Sequence, residues 1–132
     1  MIMAKKKEVT KTTVKEVNAS VKYVRISPYK MRKVADQVRN LPAVQAEQQL
    51  RLMHQKSATV IYKLIKSCMA NAVNNFSLTE SDLVISKLIV NEGPKLKRSR
   101  ARARGRIFGI LKPYSHVEIA MVSQGVENGS KG

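Results

Sequence analysis

The stretch that decides the fold runs from Gly93 to His116 and reads GPKLKRSRARARGRIFGILKPYSH. Its 18 positions from Lys95 to Lys112 hold eight lysines and arginines and no acidic residue. Five of these arginines occupy alternate positions, namely Arg98, Arg100, Arg102, Arg104 and Arg106. Side chains two residues apart on an extended strand lie on one face, about 6.6 Å apart, and a guanidinium can bind a phosphate through two hydrogen bonds. The stretch therefore predicts an extended arm that binds a polyanion.

Segments typical of strands flank this arm on both sides. Leu83–Val90 is rich in β-branched residues, and apolar residues alternate with others in His116–Val122. A basic run is also typical of a disordered tail or a localisation signal, but two strands with Gly105 between them favour a β-hairpin over about residues 88–117. Each arm of such a hairpin extends about 40 Å, whereas a chain of this length has a radius of gyration of about 14 Å. We therefore expect the hairpin to protrude, and its tip to become ordered only on the polyanion.

The composition points to a folded domain with an anionic partner. The chain has 132 residues, 43% of them hydrophobic, which is enough for one domain with a core. Its net charge of +16 favours binding to nucleic acid or to an anionic membrane surface. No apolar run has the length of a membrane span, and no signal peptide is recognisable. The single cysteine excludes an intramolecular disulfide and is typical of a reducing compartment.

The rest of the chain predicts a single domain between two flexible ends. Residues 1–17 form a basic N-terminal arm, residues 18–123 the domain that includes the hairpin, and residues 124–132 a mobile C-terminal tail. Ser20–Ile26 is typical of a strand. The sequence contains no internal repeat.

Three helices are predicted between this strand and the hairpin. The first begins at Ser27, which suits the N-cap position, and ends at Asn40, which tolerates the left-handed conformation. Within this helix Asp36 can pair with Arg32, four residues earlier.

The second and third helices cover about Pro42–His54 and about Lys56–Asn75. The third carries a broad apolar stripe that runs on to Phe76, so it is predicted to be the core helix. Cys68 falls on this stripe, and we therefore interpret it as a packed thiol rather than a nucleophile.

Groups of residues that could support catalysis are not found in the sequence. His54 and His116 lie on different predicted elements, and neither has a partnered base. One cysteine and two histidines are too few for a zinc site, and phosphate-loop and paired-carboxylate motifs are lacking. The arm also lacks aromatic residues at the spacing of a stacking platform. We therefore expect no enzyme, no cofactor and no metal, and a protein that recognises the backbone and shape of structured RNA.

Several motifs together carry a family resemblance. Along the hairpin these are VNEGP at 90–94, LKR at 96–98, RARGR at 102–106, ILK at 110–112 and SH at 115–116. On the helices they are KMRKVAD at 30–36 and ANA at 70–72. With these motifs, the chain from about Val21 to about Val122 resembles the bacterial-type large-subunit ribosomal protein L22 family.

The resemblance implies an α+β fold, in which three helices pack on a small antiparallel three-stranded sheet with a long protruding basic β-hairpin. It implies a structural constituent of the large ribosomal subunit that binds and clamps large-subunit rRNA during assembly, while the hairpin lines the polypeptide exit tunnel. The implied partners are large-subunit rRNA, neighbouring large-subunit ribosomal proteins and the nascent peptide at the hairpin tip, with a monomer in each ribosome and no membrane. The implied location is a ribosome in the bacterial cytoplasm or in an organelle such as the plastid, in its stroma.

The candidate site residues fall into two groups. On the hairpin, the expected contacts with rRNA or the tunnel are Lys95, Lys97, Arg98, Arg100, Arg102, Arg104, Gly105, Arg106, Lys112 and His116. On the body, the expected rRNA contacts are Lys30, Arg32, Lys33, Lys63 and Lys66. If the strands turn near Arg100 to Ala103, the alternation of the arginines breaks there, and some of them face the tunnel lumen.

The chain departs from the family pattern at a few positions. Asn40 replaces a glycine, and Ala101 stands where a proline is common. Phe108 and Gly109 replace more polar residues, and Pro113–Tyr114 replaces a typical basic–threonine pair. Most of these departures concern the tip and the second arm of the hairpin.

Two other functions are alternatives to this interpretation. An architectural DNA-binding protein with basic β-arms is the main one, although such arms carry a proline or an apolar wedge at the tip and work as dimers. A preference for duplex DNA over structured RNA would favour it. A membrane-active cationic domain is the other, but only the predicted core helix has the apolar face that it needs.

Overall fold

The computed structural model describes residues 16–123, and within them the predicted fold class is confirmed. The elements in chain order are β1 (Glu16–Val24), α1 (Pro28–Val38), α2 (Ala43–Leu52), α3 (Lys56–Phe76), β2 (Leu83–Ala101) and β3 (Ile107–Ser123). Short 3₁₀ turns precede β2 and join β2 to β3. The strands form one antiparallel sheet in the order β1-β3-β2, against which the helices pack. Most of the predicted N-terminal arm and all of the predicted C-terminal tail lie outside the described residues.

β1 starts earlier than the sequence predicted. It spans Glu16–Val24 and pairs with β3, whereas the prediction was Ser20–Ile26. The sheet therefore includes the last two residues of the predicted N-terminal arm, and Val17 is buried in the core. The physical reason is an alternation in which Val17, Ala19 and Val21 all pack against the core, since side chains alternate between the two faces of a strand.

α1 begins and ends where the sequence predicted. Ser27 is the N-cap residue, but its side chain makes no capping hydrogen bond. After the helix, Asn40 has a φ of 67°, the left-handed conformation that terminates helices. The predicted pair of Asp36 with Arg32 is wrong, because Asp36 instead forms an ion pair with Arg39, three residues later.

Two arginines of this region occupy the outer edge of β2. Arg39 donates hydrogen bonds from Nε and Nη2 to the carbonyl oxygen of Leu88, at 3.2 and 2.8 Å. Arg32 donates from Nη2 to the carbonyl oxygen of Val90 at 3.2 Å. Because these carbonyl groups are already bonded, this part of the edge offers fewer acceptors to another strand.

The other two helices follow the predicted order with corrected ends. α2 ends at Leu52, two residues before the predicted end at His54. α3 buries most of the predicted stripe, but Val73 and Phe76 at its C-terminal end are 37% and 45% exposed, so the predicted extension of the stripe beyond Ala72 was wrong. The chain reverses at Ser77, which has a φ of 55°, and Leu78 then packs against the core instead of Phe76.

The core lies between the sheet and the helices. Side chains buried there come from all three helices and all three strands, among them Met31, Leu50, Ile61, Ile65, Leu88, Ile119 and Val17. Cys68 is also fully buried, and its Sγ donates to the carbonyl oxygen of Val17 at 3.4 Å. Burial raises the pKa of the Cys68 thiol to about 11. These contacts confirm the prediction of a packed thiol.

β2 and β3 form the predicted long hairpin. They pair from Leu83 opposite Ser123 out to Ala101 opposite Ile107, whereas β1 covers β3 only as far as Ser115. Beyond that point the hairpin continues as two strands, and we call residues 95–113 the ribbon. At strand rise the ribbon is about 30 Å long, and most of its side chains are exposed.

The turn of the hairpin lies closer to the C-terminus than the position considered from the sequence. The turn spans Ala103–Gly105, so it shares only Ala103 with the range Arg100 to Ala103. Arg104 and Gly105 adopt positive φ values of 60° and 71° there. Glycine takes this conformation at little cost, so its position selects the place where the chain reverses.

Candidate nucleic-acid interface

The pairing of the strands gives the ribbon two distinct faces. Residues directly opposite each other in an antiparallel pair point to the same side. Arg98 lies opposite Ile110 and Arg100 opposite Phe108, so these four side chains share one face. The expectation that the alternating arginines share one strand face is therefore correct only for these two, because the strands exclude Arg102, Arg104 and Arg106.

The two strands of the ribbon differ in their chemistry. The β2 strand carries cations, whereas the β3 strand exposes Ile107, Phe108 and Leu111 by 71%, 49% and 55%. On the second face, Lys97 lies opposite Leu111. Each face therefore places cations beside apolar surface, a combination that can contact both the phosphates and the bases of an RNA strand.

No carboxylate within the described residues neutralises the ribbon. No acidic residue occurs between Lys95 and Lys112, and both ion pairs of the described residues lie on the body. Among side-chain hydrogen bonds, Arg98 donates from Nη1 to the carbonyl oxygen of Lys97 at 2.9 Å. The exposed guanidinium and ammonium groups of the ribbon therefore leave most of their donors free for phosphate oxygens.

His116 links the start of the ribbon to β1. Its Nδ1 accepts a hydrogen bond from the backbone N–H of Tyr23 at 3.0 Å, and the two rings meet edge to face with centroids 5.0 Å apart. Gly93 lies against the same ring, since a Cβ there would come within 3.2 Å of His116 Cε1. These contacts give His116 a structural role, and its predicted contact with rRNA stays a prediction.

A cleft of about 660 Å³ lies where the ribbon meets the start of α1 and the start of α3, and we call it the foot cleft. Its lining contains no acidic residue, and its cations are Arg25, Lys30, Lys33, Lys56 and Lys112. Neither helix has an acidic residue in its first turn, so the positive ends of both helix dipoles add to the potential. The foot cleft is therefore a concave cationic site.

Sequence reasoning identified some of these cations and missed others. Lys30, Lys33 and Lys112 were predicted site residues, and the fold brings them together. Arg25 and Lys56 were missed because each is isolated in sequence from the basic arm. Their positions beside predicted helix starts were the one signal that could have pointed to them, since helix N-termini attract anions.

The remaining predicted body contacts lie elsewhere. Arg32 is at the edge of β2, as described above. Lys63 lines a groove between β1 and α3, and Lys66 lies 3.9 Å from the carboxylate of Glu47. The five predicted body residues therefore do not form one surface.

The described residues offer little for catalysis. Between residues 16 and 123, no three or more His, Cys, Asp or Glu side chains come together in a way that could hold a metal ion. The raised pKa of Cys68 keeps its thiol protonated at neutral pH. None of the described helices is long and apolar enough to cross a membrane. What the geometry supports is the binding of a polyanion.

Comparison with known proteins gives a consistent match over most of the chain. The family model for ribosomal protein L22p/L17e matches residues 19–122. The large ribosomal subunit protein uL22c of Thalassiosira pseudonana is 44% identical over 107 residues, which cover 81% of this chain and 93% of that protein. The large ribosomal subunit protein uL22 of Petrotoga mobilis is 44% identical over 119 residues, which cover 90% and 79%. The protein uL22c of Chaetosphaeridium globosum is 47% identical over 105 residues, which cover 80% and 88%.

Proposed function

Because the chain belongs to the family of ribosomal protein L22p/L17e, we propose that it binds large-subunit rRNA and clamps it during assembly of the large ribosomal subunit. The family consists of structural ribosomal constituents, so the chain is not an enzyme. Its relatives are uL22 and uL22c proteins of bacteria and plastids, which makes the ribosome of a bacterial cytoplasm or a plastid its location.

The observation that carries the rRNA proposal is the unneutralised ribbon. Cations on one strand and exposed apolar side chains on the other extend about 30 Å from the sheet. An isolated two-stranded ribbon is marginal in water, and its like charges repel one another. Phosphates that lie along the ribbon relieve this repulsion and release their counterions, so binding stabilises both partners.

We further propose that the turn of the hairpin reaches the wall of the polypeptide exit tunnel and meets the nascent peptide. The turn and the residues beside it combine two small residues, Ala101 and Ala103, with the exposed guanidinium groups of Arg102, Arg104 and Arg106. Small residues keep the tip narrow, and the arginines can bind rRNA on one side while they face the lumen on the other. In this proposal each ribosome contains one copy of the chain, which also contacts neighbouring large-subunit proteins.

Duplex DNA is a second candidate partner because of one structural feature. Ile107 and Phe108 are exposed beside the turn, and DNA-bending proteins insert apolar side chains of this kind between base steps. A preference for duplex DNA over structured RNA would support this alternative.

Sedimentation of the tagged chain in a bacterial extract, at two salt concentrations, tests the proposal. We expect the chain to migrate with large ribosomal subunits at both concentrations.

Arg104→Glu combined with Arg106→Glu should weaken binding to large-subunit rRNA at least about tenfold, because two phosphate contacts become repulsive. Lys22→Glu combined with Lys87→Glu changes the net charge equally on the outer face of the sheet and should bind almost as well as the wild type. Recovery with DNA, or equal losses in both variants, would count against the proposal.

A further inference from the structure

The foot cleft has a composition that general binding along the RNA backbone does not require. Besides its cations, it has an apolar wall formed by Ile26, Leu111, Pro113 and Tyr114. We propose that the foot cleft holds one unpaired nucleotide of RNA, with its phosphate among the cations and its base against this wall. The inference rests on the proposed function and specifies one of the sites at which the RNA is bound.

No carboxylate of this chain pairs with the cations of the foot cleft within the described residues, which favours a bound phosphate as their partner. They come from the loop after β1, from α1, from the start of α3 and from β3, so the fold brings together charges that repel one another. Neither ion pair of the described residues involves them. Lys33 makes a cation–π contact, with its Nζ 4.5 Å from the ring centre of Tyr29, and this contact supplies no negative charge that would neutralise the ammonium group. A phosphate placed among these groups would remove the mutual repulsion.

The wall supplies what a nucleobase needs. Leu111 is 55% exposed although it stands at a concave site, and Tyr114 offers an aromatic ring close to the cations. Unpaired bases in RNA bind to proteins by stacking on aromatic side chains, whereas a paired base in a helix is already stacked. A volume of about 660 Å³ lies within the range of pockets for small ligands, roughly 300–1,000 Å³. Shape and chemistry therefore suit a single nucleotide.

The phosphate half of the inference is tested by the salt dependence of binding to bacterial large-subunit rRNA made by transcription. For Arg25→Gln combined with Lys56→Gln, we expect roughly tenfold weaker binding and a slope of log affinity against log salt that is smaller by about 1.4, equivalent to two single-strand phosphate contacts. Lys22→Gln combined with Lys87→Gln removes the same charge from the outer face of the sheet and should leave the slope close to that of the wild type. Equal slopes for the two variants would overturn the cleft as a phosphate site while rRNA binding by the wild type stands.

The base half is tested by probing the same rRNA with dimethyl sulfate in the complex. We expect the wild type and Tyr114→Phe to protect an unpaired base that Tyr114→Ala leaves reactive, because the aromatic ring, and not its hydroxyl group, encloses the base in the cleft and shields it from the reagent. Circular dichroism of both variants checks that the fold is retained. If Tyr114→Ala protects the same bases as the wild type, the cleft contacts backbone only and the inference is wrong. A wild type that does not bind large-subunit rRNA would overturn the proposed function, and the nucleotide site with it.

Discussion

At the scale of single residues, burial determines the chemistry of Cys68. Its side chain is fully buried on α3, and its Sγ donates to the carbonyl oxygen of Val17. Removal from water disfavours the thiolate, which raises the pKa of the thiol from 9.0 to about 11. The unfolded chain lacks this environment, so its thiol loses a proton at lower pH than the folded one. The free energy of unfolding must then depend on pH in a predictable direction.

The expected result is a loss of stability in alkaline solution. Below about pH 9 the thiol is protonated in both the folded and the unfolded state, so Cys68 adds no pH dependence to the free energy of unfolding. As the pH rises towards about 11, the thiol ionises only in the unfolded state. The free energy of unfolding therefore falls by up to about 3 kcal/mol. Urea unfolding of the wild type and of Cys68→Ala over this pH range measures the difference, because tyrosines and lysines titrate in both proteins. If the two proteins lose stability in parallel, the thiol is not protected by burial.

At the scale of an element, the close packing of β2 against β3 is most demanding at Gly93, just before the ribbon leaves the three-stranded part of the sheet. The pairing of β2 with β3 shifts its register between Glu92 and Lys95, and Gly93 lies within this irregular segment. A Cβ on Gly93 would stand 3.2 Å from the ring of His116 and from both the carbonyl carbon and the Cβ of Tyr114. Two of these three atoms belong to or adjoin the backbone, so the strands cannot separate easily to admit a methyl group. Gly93 therefore permits the close approach of the two strands.

Gly93→Ala should destabilise the protein by about 1 kcal/mol, which lowers the melting temperature by about 3 °C. Gly109→Ala is the matched control on the same hairpin, because a Cβ there meets no atom within 4 Å. The control should be neutral or slightly stabilising, since alanine restricts the unfolded chain. Thermal unfolding followed by circular dichroism compares the two variants. Equal melting temperatures for both would contradict a tight junction at Gly93.

The helices and strands also show which structural features can be predicted from sequence patterns and which cannot. The helix signals at Ser27 and Asn40 predicted both ends of α1, and although Ser27 makes no capping hydrogen bond, the left-handed conformation of Asn40 is a local property that the sequence reveals. The early start of β1 follows from the alternation of Val17, Ala19 and Val21, which is present in the sequence. The exposure of Phe76 was not predictable, since it depends on where the chain reverses after α3. The candidate site divides in the same way. The basic arm is visible in the sequence, whereas Arg25 joins the foot cleft only through the fold.

At the scale of the whole molecule, the charge of the chain is out of balance with its compact form. The chain carries 25 lysines and arginines against nine acidic residues. Only two ion pairs form among the described residues, and both lie on the body. Excess charge of one sign destabilises a compact state by self-repulsion, and salt screens that repulsion. Bound RNA would supply the missing negative charge, so the free protein and the complex should respond to salt in opposite directions.

The free protein should therefore become more stable as NaCl rises from about 50 mM to about 500 mM, by about 1 kcal/mol or about 3 °C in melting temperature. Over the same range its affinity for large-subunit rRNA should fall, because each phosphate contact releases a counterion. Lys95→Gln combined with Lys97→Gln removes part of the excess charge, so this variant should gain less stability from salt than the wild type. A melting temperature that does not rise with salt would mean that repulsion between the cations does not destabilise the folded protein. A bound polyanion would then relieve little repulsion along the ribbon.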